Sequence, residues 1–258
     1  MSQLEEIEGL VLSVRKHRER DYLVKLFTNE YGKLMFFVRG TKNPNFKLRP
    51  VIQPFTKATF IADIRPDGLS FIRDAKNVES YTSIQTDIFK NAYATYIVQL
   101  ADAALEDRKA DPGLYHQLVM GHEAINSDVD PEIIMAIFEV RFLLYFGVMP
   151  EFRGCVFCGK TEGPFDYSSK HHGLICPNHF HEDERRLHAS PKAMHFIRLF
   201  SVLSFDKLNT VSLKKQTKLE IRYVIDELYD ELVGLNLKSK RFINQMHQWE
   251  SILKRKDD

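Results

Sequence analysis

Apolar and polar positions follow two periods along this chain, and the change falls near residue 82. Before it, five segments rich in β-branched and aromatic residues alternate imperfectly with a period of two: EIEGLVLSV, DYLVKLFTN, GKLMFFVRG, VIQPFTKATFIAD and GLSFIRDAKNVESY. Turn-forming clusters separate them, with Tyr31-Gly32 and Pro66-Asp67-Gly68 the clearest. Alternation bounded by such turns predicts strands. Five short strands within about 80 residues predict a small barrel, closed or nearly closed.

After residue 84 the period lengthens. Ile88, Phe89, Ala92, Tyr93, Tyr96, Ile97, Leu100 and Ala104 recur at three- and four-residue steps, one apolar face of a helix. Three later starts share one device, a capping side chain followed by proline at the first helical position: Asp111-Pro112, Asp130-Pro131 and Ser190-Pro191. The segment after Pro131, IIMAIFEVRFLLYF, is apolar nearly all round and reads as the central buried helix, ended by Gly147 and Pro150. Two more helices are predicted near 213–233 (Leu219, Val224, Ile225, Leu228, Leu232) and 240–253 (Phe242, Ile243, Met246, Trp249, Leu253), and the KRKDD tail is expected to fray. The expected architecture is α+β and multidomain. A strand domain at 1–82 is followed by an all-α domain at 83–258, which a cysteine-bearing loop at 152–181 interrupts.

Charge changes this picture more than composition does. The 258 residues are 44% hydrophobic with a net charge of +1, ordinary for a globular protein. Residues 11–57, however, hold eleven Lys or Arg against three acids, a net of +8 that leaves the remainder at −7. Such asymmetry points to an anionic partner for the N-terminal part. The start, MSQLEEIEGL, lacks the basic and apolar regions of a signal peptide, and no apolar run approaches membrane-spanning length. The three cysteines all lie within 155–176, unlike a secreted disulfide framework. A cytoplasmic location is expected.

The stretch GCVFCGKT at 154–161 fits two motifs. As G-x-x-x-x-G-K-T it would be a phosphate-binding loop, which needs a buried strand before it and a helix after it. Its flanks, VMPEFR and EGPFDYSS, supply neither pattern. As C-x2-C it is half of a metal site, completed by Cys176-x2-His179 in LICPNHF. The spacing C-x2-C-x17-C-x2-H lies in the zinc-ribbon range, with histidine as the fourth ligand. His179 is preferred because its spacing mirrors the first pair; His181 competes, and His171 and His172 lie within the loop. Four protein ligands close a zinc site to water, so a structural ion is expected. HEDER at 181–185 has Arg where a zinc protease needs His, and the deaminase signature is absent. No nucleophile triad or acid–base pair stands out, so no enzymatic activity is expected.

A further pattern lies in GLVLSVRKHRERDYLVKLFTNEYGKLMFFVRGTKNPNFKL: G-x-V-L, a basic turn, a Glu/Asp pair, L-F-T, a tight Gly-Lys turn, and a glycine followed by basic residues. With the helical middle and the cysteine loop in the same order and spacing, the whole chain resembles the RecO family of bacterial recombination mediators and DNA repair proteins. Two departures stand out. TKNPNFKLRP follows Arg39-Gly40 where the family often has a richer basic run with a serine, and position 179 is His where a fourth Cys is common. The resemblance implies an OB-fold barrel that binds single- and double-stranded DNA and promotes strand annealing. It also implies partnership with RecR and with the tail of single-stranded DNA-binding protein, in loading recombinase onto coated strands during recombination and the repair of DNA damage.

An OB-fold holds single strands with a basic groove and stacking side chains. The candidates are Arg15, Lys16, Arg18 and Arg20 at the first hairpin turn, and Arg39, Lys42, Lys47 and Arg49 around the loop after the third strand. Phe46, in a polar loop, is the best stacking candidate; Tyr22 and Phe37 read rather as core. Lys214, Lys215 and Lys218 crowd a helix start, where the dipole disfavours cations, and mark a second candidate surface for DNA or an acidic partner, with Lys238, Lys240 and Arg241 similar. The competing readings are a zinc-dependent hydrolase or NTPase using the 154–161 loop, and a protein-interaction scaffold with an incidental basic face.

Overall fold

The computed structural model describes residues 4–17, 19, 21–39, 46–208 and 212–254, the side chains of 207 and 247–254 excepted. The chain divides into two compact units, Met1–Asp128 and Val129–Asp258. The change of period near residue 82 therefore ends the sheet but not the first unit, which also holds three helices.

The first unit begins with five strands: β1 (Leu4–His17), β2 (Asp21–Thr28), β3 (Gly32–Val38), β4 (Thr56–Asp63) and β5 (Ser70–Ser80). Strand β1 is long enough to serve two partners. Its first half pairs with β4 through Leu4–Leu10 and its second half with β2 through Gly9–His17. The handover falls at Gly9, where an added Cβ would lie 3.2 Å from the Phe60 ring. A register shift between Val11 and Ser13 bends the strand beyond it. The pairings run in a ring, β1-β2-β3-β5-β4 and back to β1. The β3–β5 seam is thin, with only Phe36↔Ser70 and Phe37↔Phe71 in parallel register. Inward positions follow the period of two: Val24 and Leu26, Leu34 and Phe36, Ala58, Phe60 and Ala62 are all buried in one core.

One strand begins later than the sequence predicts. Residues 51–55 turn instead of pairing. The N–H groups of Val51 and Ile52 both donate to the Leu48 carbonyl (3.1 and 3.0 Å), Pro54 has no N–H to give, and Phe55 sits at φ +63°. Leu48, Val51 and Ile52 plug the barrel core from this turn. Their spacing of three and four is helical, a pattern hidden inside an apparent strand.

Helices α1 (Thr82–Thr86), α2 (Ile88–Ala104) and α3 (Pro112–Asn126) complete the unit. The Asp111 cap accepts from the Leu114 N–H at 2.8 Å, as its sequence position predicts. Asp87 caps α2, accepting from Phe89 and Lys90. Asp102 on α2 receives Lys25 (2.7 Å) and Lys33 (3.0 Å), and Lys33 is only 4% exposed. Lys57 is likewise held by Glu79 and Glu123. Three of the eleven N-terminal cations thus neutralise carboxylates within the unit and are not offered to a partner.

His122 on α3 is fully buried, stacked between Phe55 and Tyr81, with Nδ1 2.7 Å from the Leu118 carbonyl. Burial pushes its pKa down to about 4. The unfolded chain binds this proton from about pH 6.5 downward, while the folded one does so only near 4. The unit is therefore expected to keep its full stability above pH 6.5 and to lose about 3 kcal/mol as pH falls to 4. Urea unfolding of His122→Phe across this range should show that loss removed.

The second unit contains α4 (Pro131–Tyr145), β6 (Glu151–Cys155), β7 (Asp166–Ser168), β8 (Gly173–Ile175), α5 (Pro191–Val202), α6 (Lys215–Leu232) and α7 (Lys238–Lys254). Asp130 and Ser190 cap α4 and α5 by accepting from Glu132 and Ala193. Helix α4 is the buried centre, packed by α5 and α6. Its one buried charge is Glu139, 1% exposed, which receives Arg222 of α6 and Lys240 of α7. Among the described residues no helix is long and apolar enough to cross a membrane.

Candidate functional site

Two places carry the chemistry that the sequence points to, one in each unit. In the second, the parallel pairing of β6 with β8, including Cys155↔Leu174, brings the Cys155/Cys158 and Cys176/His179 pairs together. The Gly159 N–H donates to the Cys155 carbonyl (2.8 Å) and the Cys155 N–H to that of Lys160 (2.9 Å), folding the first pair into a tight knuckle with Gly159 at φ +69°. In the second knuckle the His179 N–H donates to the Cys176 carbonyl at 2.8 Å.

The four ligand atoms of Cys155, Cys158, Cys176 and His179 lie within 4.8 Å of one another. The Cys158–Cys176 sulfur separation is 3.8 Å, and His179 Nδ1 lies 3.3 and 3.5 Å from Cys176 and Cys155. A tetrahedral zinc with its usual bond lengths has sulfur–sulfur edges of about 3.8 Å and sulfur–nitrogen edges of about 3.6 Å. The donor set therefore fits such an ion, and these four residues could hold a metal. His181, the competing ligand, is largely exposed and lies 3.3 Å from Glu182 instead. Burial opposes ionisation of Cys155, but the N–H groups of Cys158, Cys176 and Phe157 outweigh it and bring the thiol down to about 6. The Cys176 thiol is pushed up by burial and by its sulfur neighbours, the crowding that a shared cation relieves.

This module extends beyond the expected 152–181 and has a small core of its own. Phe152, Phe165, Tyr167, Leu174 and Ile175 are buried in it. Beyond the ligands, Asp166 accepts from the His188 and Ala189 N–H groups (both 3.0 Å) and pairs with Arg186. The element that follows Gly154–Thr161 is the strand β7, so this stretch lacks the helix N-terminus that a phosphate-binding loop needs.

The helical cations separate into two groups. Lys214 and Lys215 are exposed at the start of α6. Lys218 is not available in the same way, being held by Asp130 (2.9 Å) and Glu132 (2.7 Å). Lys240 is held by Glu139 and Asp226, whereas Lys238 and Arg241 are exposed.

In the first unit, Arg15, Lys16, Arg39, Lys47 and Arg49 are all exposed. Arg18, Arg20 and Lys42 lie outside the described residues. Phe46 is half-buried and packs against the barrel core, so its ring does not stand out from the loop as expected. The strand register sets another group on the outer face. Arg15 pairs with Leu23, Leu23 with Phe37, and Phe37 with Phe71, a row across four strands. Phe37 is thus not a core residue but a half-buried outer one. Sequence reasoning passed over Phe71, Arg65 and Arg73 on this face. The signal was the twin pattern Phe37-x-Arg39 and Phe71-x-Arg73, where a period of two sends both members outward.

Comparison with known proteins decides the family. The model described as recombination protein O N terminal matches residues 1–81, and that described as recombination protein O C terminal matches residues 85–241. The chain belongs to the RecO family. A DNA repair protein RecO of Enterococcus faecalis is 52% identical over 97% of this chain and 96% of its own length. The RecO proteins of Streptococcus agalactiae and Streptococcus sanguinis are 47% and 46% identical, over 95% and 97% of this chain and 96% and 97% of their own lengths. The RecO family match spans both units, so the basic barrel and the cysteine module belong to one kind of protein.

Proposed function

We propose that this chain is a non-enzymatic mediator of recombinational DNA repair, which binds and anneals single strands and helps to load recombinase with RecR onto strands coated by single-stranded DNA-binding protein. The carrying observation is RecO kinship over nearly the whole chain. The strand order and long bent β1 suit an OB-fold, whose partly open Greek-key barrel binds oligonucleotides on the face of strands 2–3 and on the loops joining strands 1–2 and 4–5. Arg15, Lys16, Arg39, Lys47 and Arg49 would contact phosphates there, giving binding of single- and double-stranded DNA with little sequence preference. The exposed Lys214 and Lys215 would serve a second contact, with DNA or with the acidic tail of single-stranded DNA-binding protein.

The metal in this reading is a structural zinc held by Cys155, Cys158, Cys176 and His179, away from any reaction. It would tie the two knuckles and fix the module between α4 and α5. Action by binding, without substrate turnover, suits a cytoplasmic protein working on the nucleoid. The test is annealing of complementary strands by the purified protein and by the triple variant Arg39→Glu, Lys47→Glu, Arg49→Glu. At low salt the variant is expected to anneal at least about tenfold more slowly, since each reversal removes a phosphate contact and adds repulsion. Annealing at the native rate would defeat the assignment of this surface.

A further inference from the structure

The outer row on the barrel carries an unusual concentration of guanidinium groups. Arg39 lies 5.5 Å from the centre of the Phe37 ring and 5.8 Å from that of Phe71. Arg65 and Arg73 also stand over Phe71, at 4.5 and 5.4 Å. Cation–ring contacts occur about once per 70–80 residues in folded proteins, yet here four fall on two adjacent rings. The rings touch each other at 6.1 Å in a T-shaped arrangement, and His17 stands edge-on to Phe37 at 5.7 Å. Three like charges converge on one ring, and among the described residues Asp63 pairs with Arg73, at 3.7 Å, and with neither Arg39 nor Arg65. Such convergence costs free energy unless an anion shares the space.

The loop that supplies Arg65 is also fixed in advance. Arg108 donates to the carbonyls of Arg65 (2.7 Å) and Gly68 (2.6 Å), stapling the turn between β4 and β5. The Arg65 N–H in turn donates to the Ser70 hydroxyl at 3.2 Å. An arginine on a loop with a fixed backbone, standing over Phe71 with Phe37 beside that ring, matches a nucleotide in both parts, with the base stacked on an aromatic face and the phosphate on Arg.

We infer that Phe37 and Phe71 form a stacking platform for unpaired bases, and that Arg39, Arg65 and Arg73 hold the phosphates on either side. This rests on the reading that the barrel binds DNA, and it adds the part that tells single strands from duplex. A base inside a duplex offers no free face to the rings, whereas the phosphate contacts serve both forms.

The test compares oligothymidylate with a duplex of equal length on the native protein and on Phe71→Ala. The substitution is expected to weaken single-strand binding roughly 5- to 150-fold, to change duplex binding less than about threefold, and to leave the salt dependence intact. Equal losses on both DNAs, or no loss on either, overturn the inference. A native protein that binds neither DNA overturns the barrel reading along with it. Should Phe71→Ala fail to fold, Phe71→Trp in a Trp249→Phe background decides. Its emission is expected to be quenched by oligothymidylate and not by duplex, and emission unchanged by oligothymidylate, or quenched equally by duplex, counts against the platform.

Discussion

Cys176→Ser is expected to abolish metal binding and to unfold the module from Glu151 to Ala189. Cys176 is buried and its sulfur is a neighbour of both Cys158 and His179 in the cluster. Loss of one thiolate leaves three donors and a crowded, partly desolvated pocket. Structural zinc sites in small peptides are worth about 10–16 kcal/mol at neutral pH, and the part of this that supports folding is lost with the ion. The module's own small core, Phe152, Phe165, Tyr167, Leu174 and Ile175, retains a fraction of the order. Elemental analysis should give about one zinc per native chain and near zero for the variant. A thermal melt should show the second unit losing its cooperative transition. A variant that melts with the native protein would mean that the cluster holds nothing of structural weight.

Glu139→Ala is expected to destabilise the second unit by about 3–5 kcal/mol, because it strands two partly buried cations. Burial by itself would raise the Glu139 pKa, but Arg222 and Lys240 outweigh it and hold the carboxyl below its usual range. Its contribution is thus present above the ordinary carboxylate pKa and fades as pH falls through the lower folded value. Asp226, 2.9 Å from Lys240 and 3.4 Å from Arg222, compensates in part and sets the loss toward the lower end. The urea midpoint at neutral pH measures the loss, and a shift under about 1 kcal/mol would show that Asp226 and water suffice.

What could be read from the chain follows from which signals are local. A proline after a capping side chain is a local instruction, and all three such sites start helices as read. The paired C-x2-C and C-x2-H spacings are also local, and the structure brings those four side chains together. Long-range pairing was not legible. Lys25, Lys33 and Lys57 count as free charge until the fold puts Asp102, Glu79 and Glu123 against them. Glu139 looks like a flaw in an apolar helix until Arg222 and Lys240 arrive from more than eighty residues away. The outer face failed for a different reason. Phe37 reads as core because it is aromatic, nothing local singles out Phe71, and only the register of β3 against β5 shows the two side by side on the outside.

The central claim, that the N-terminal barrel grips DNA through its phosphates, is tested most directly by the salt dependence of single-strand affinity. Five exposed cations, Arg15, Lys16, Arg39, Lys47 and Arg49, would release about as many counterions on contact. The expected slope of log K against log salt is about −3.5 or steeper for the native protein, and shallower by about 2 when Arg39, Lys47 and Arg49 are reversed to glutamate. A native slope near zero, or one that the triple reversal leaves unchanged, would contradict it.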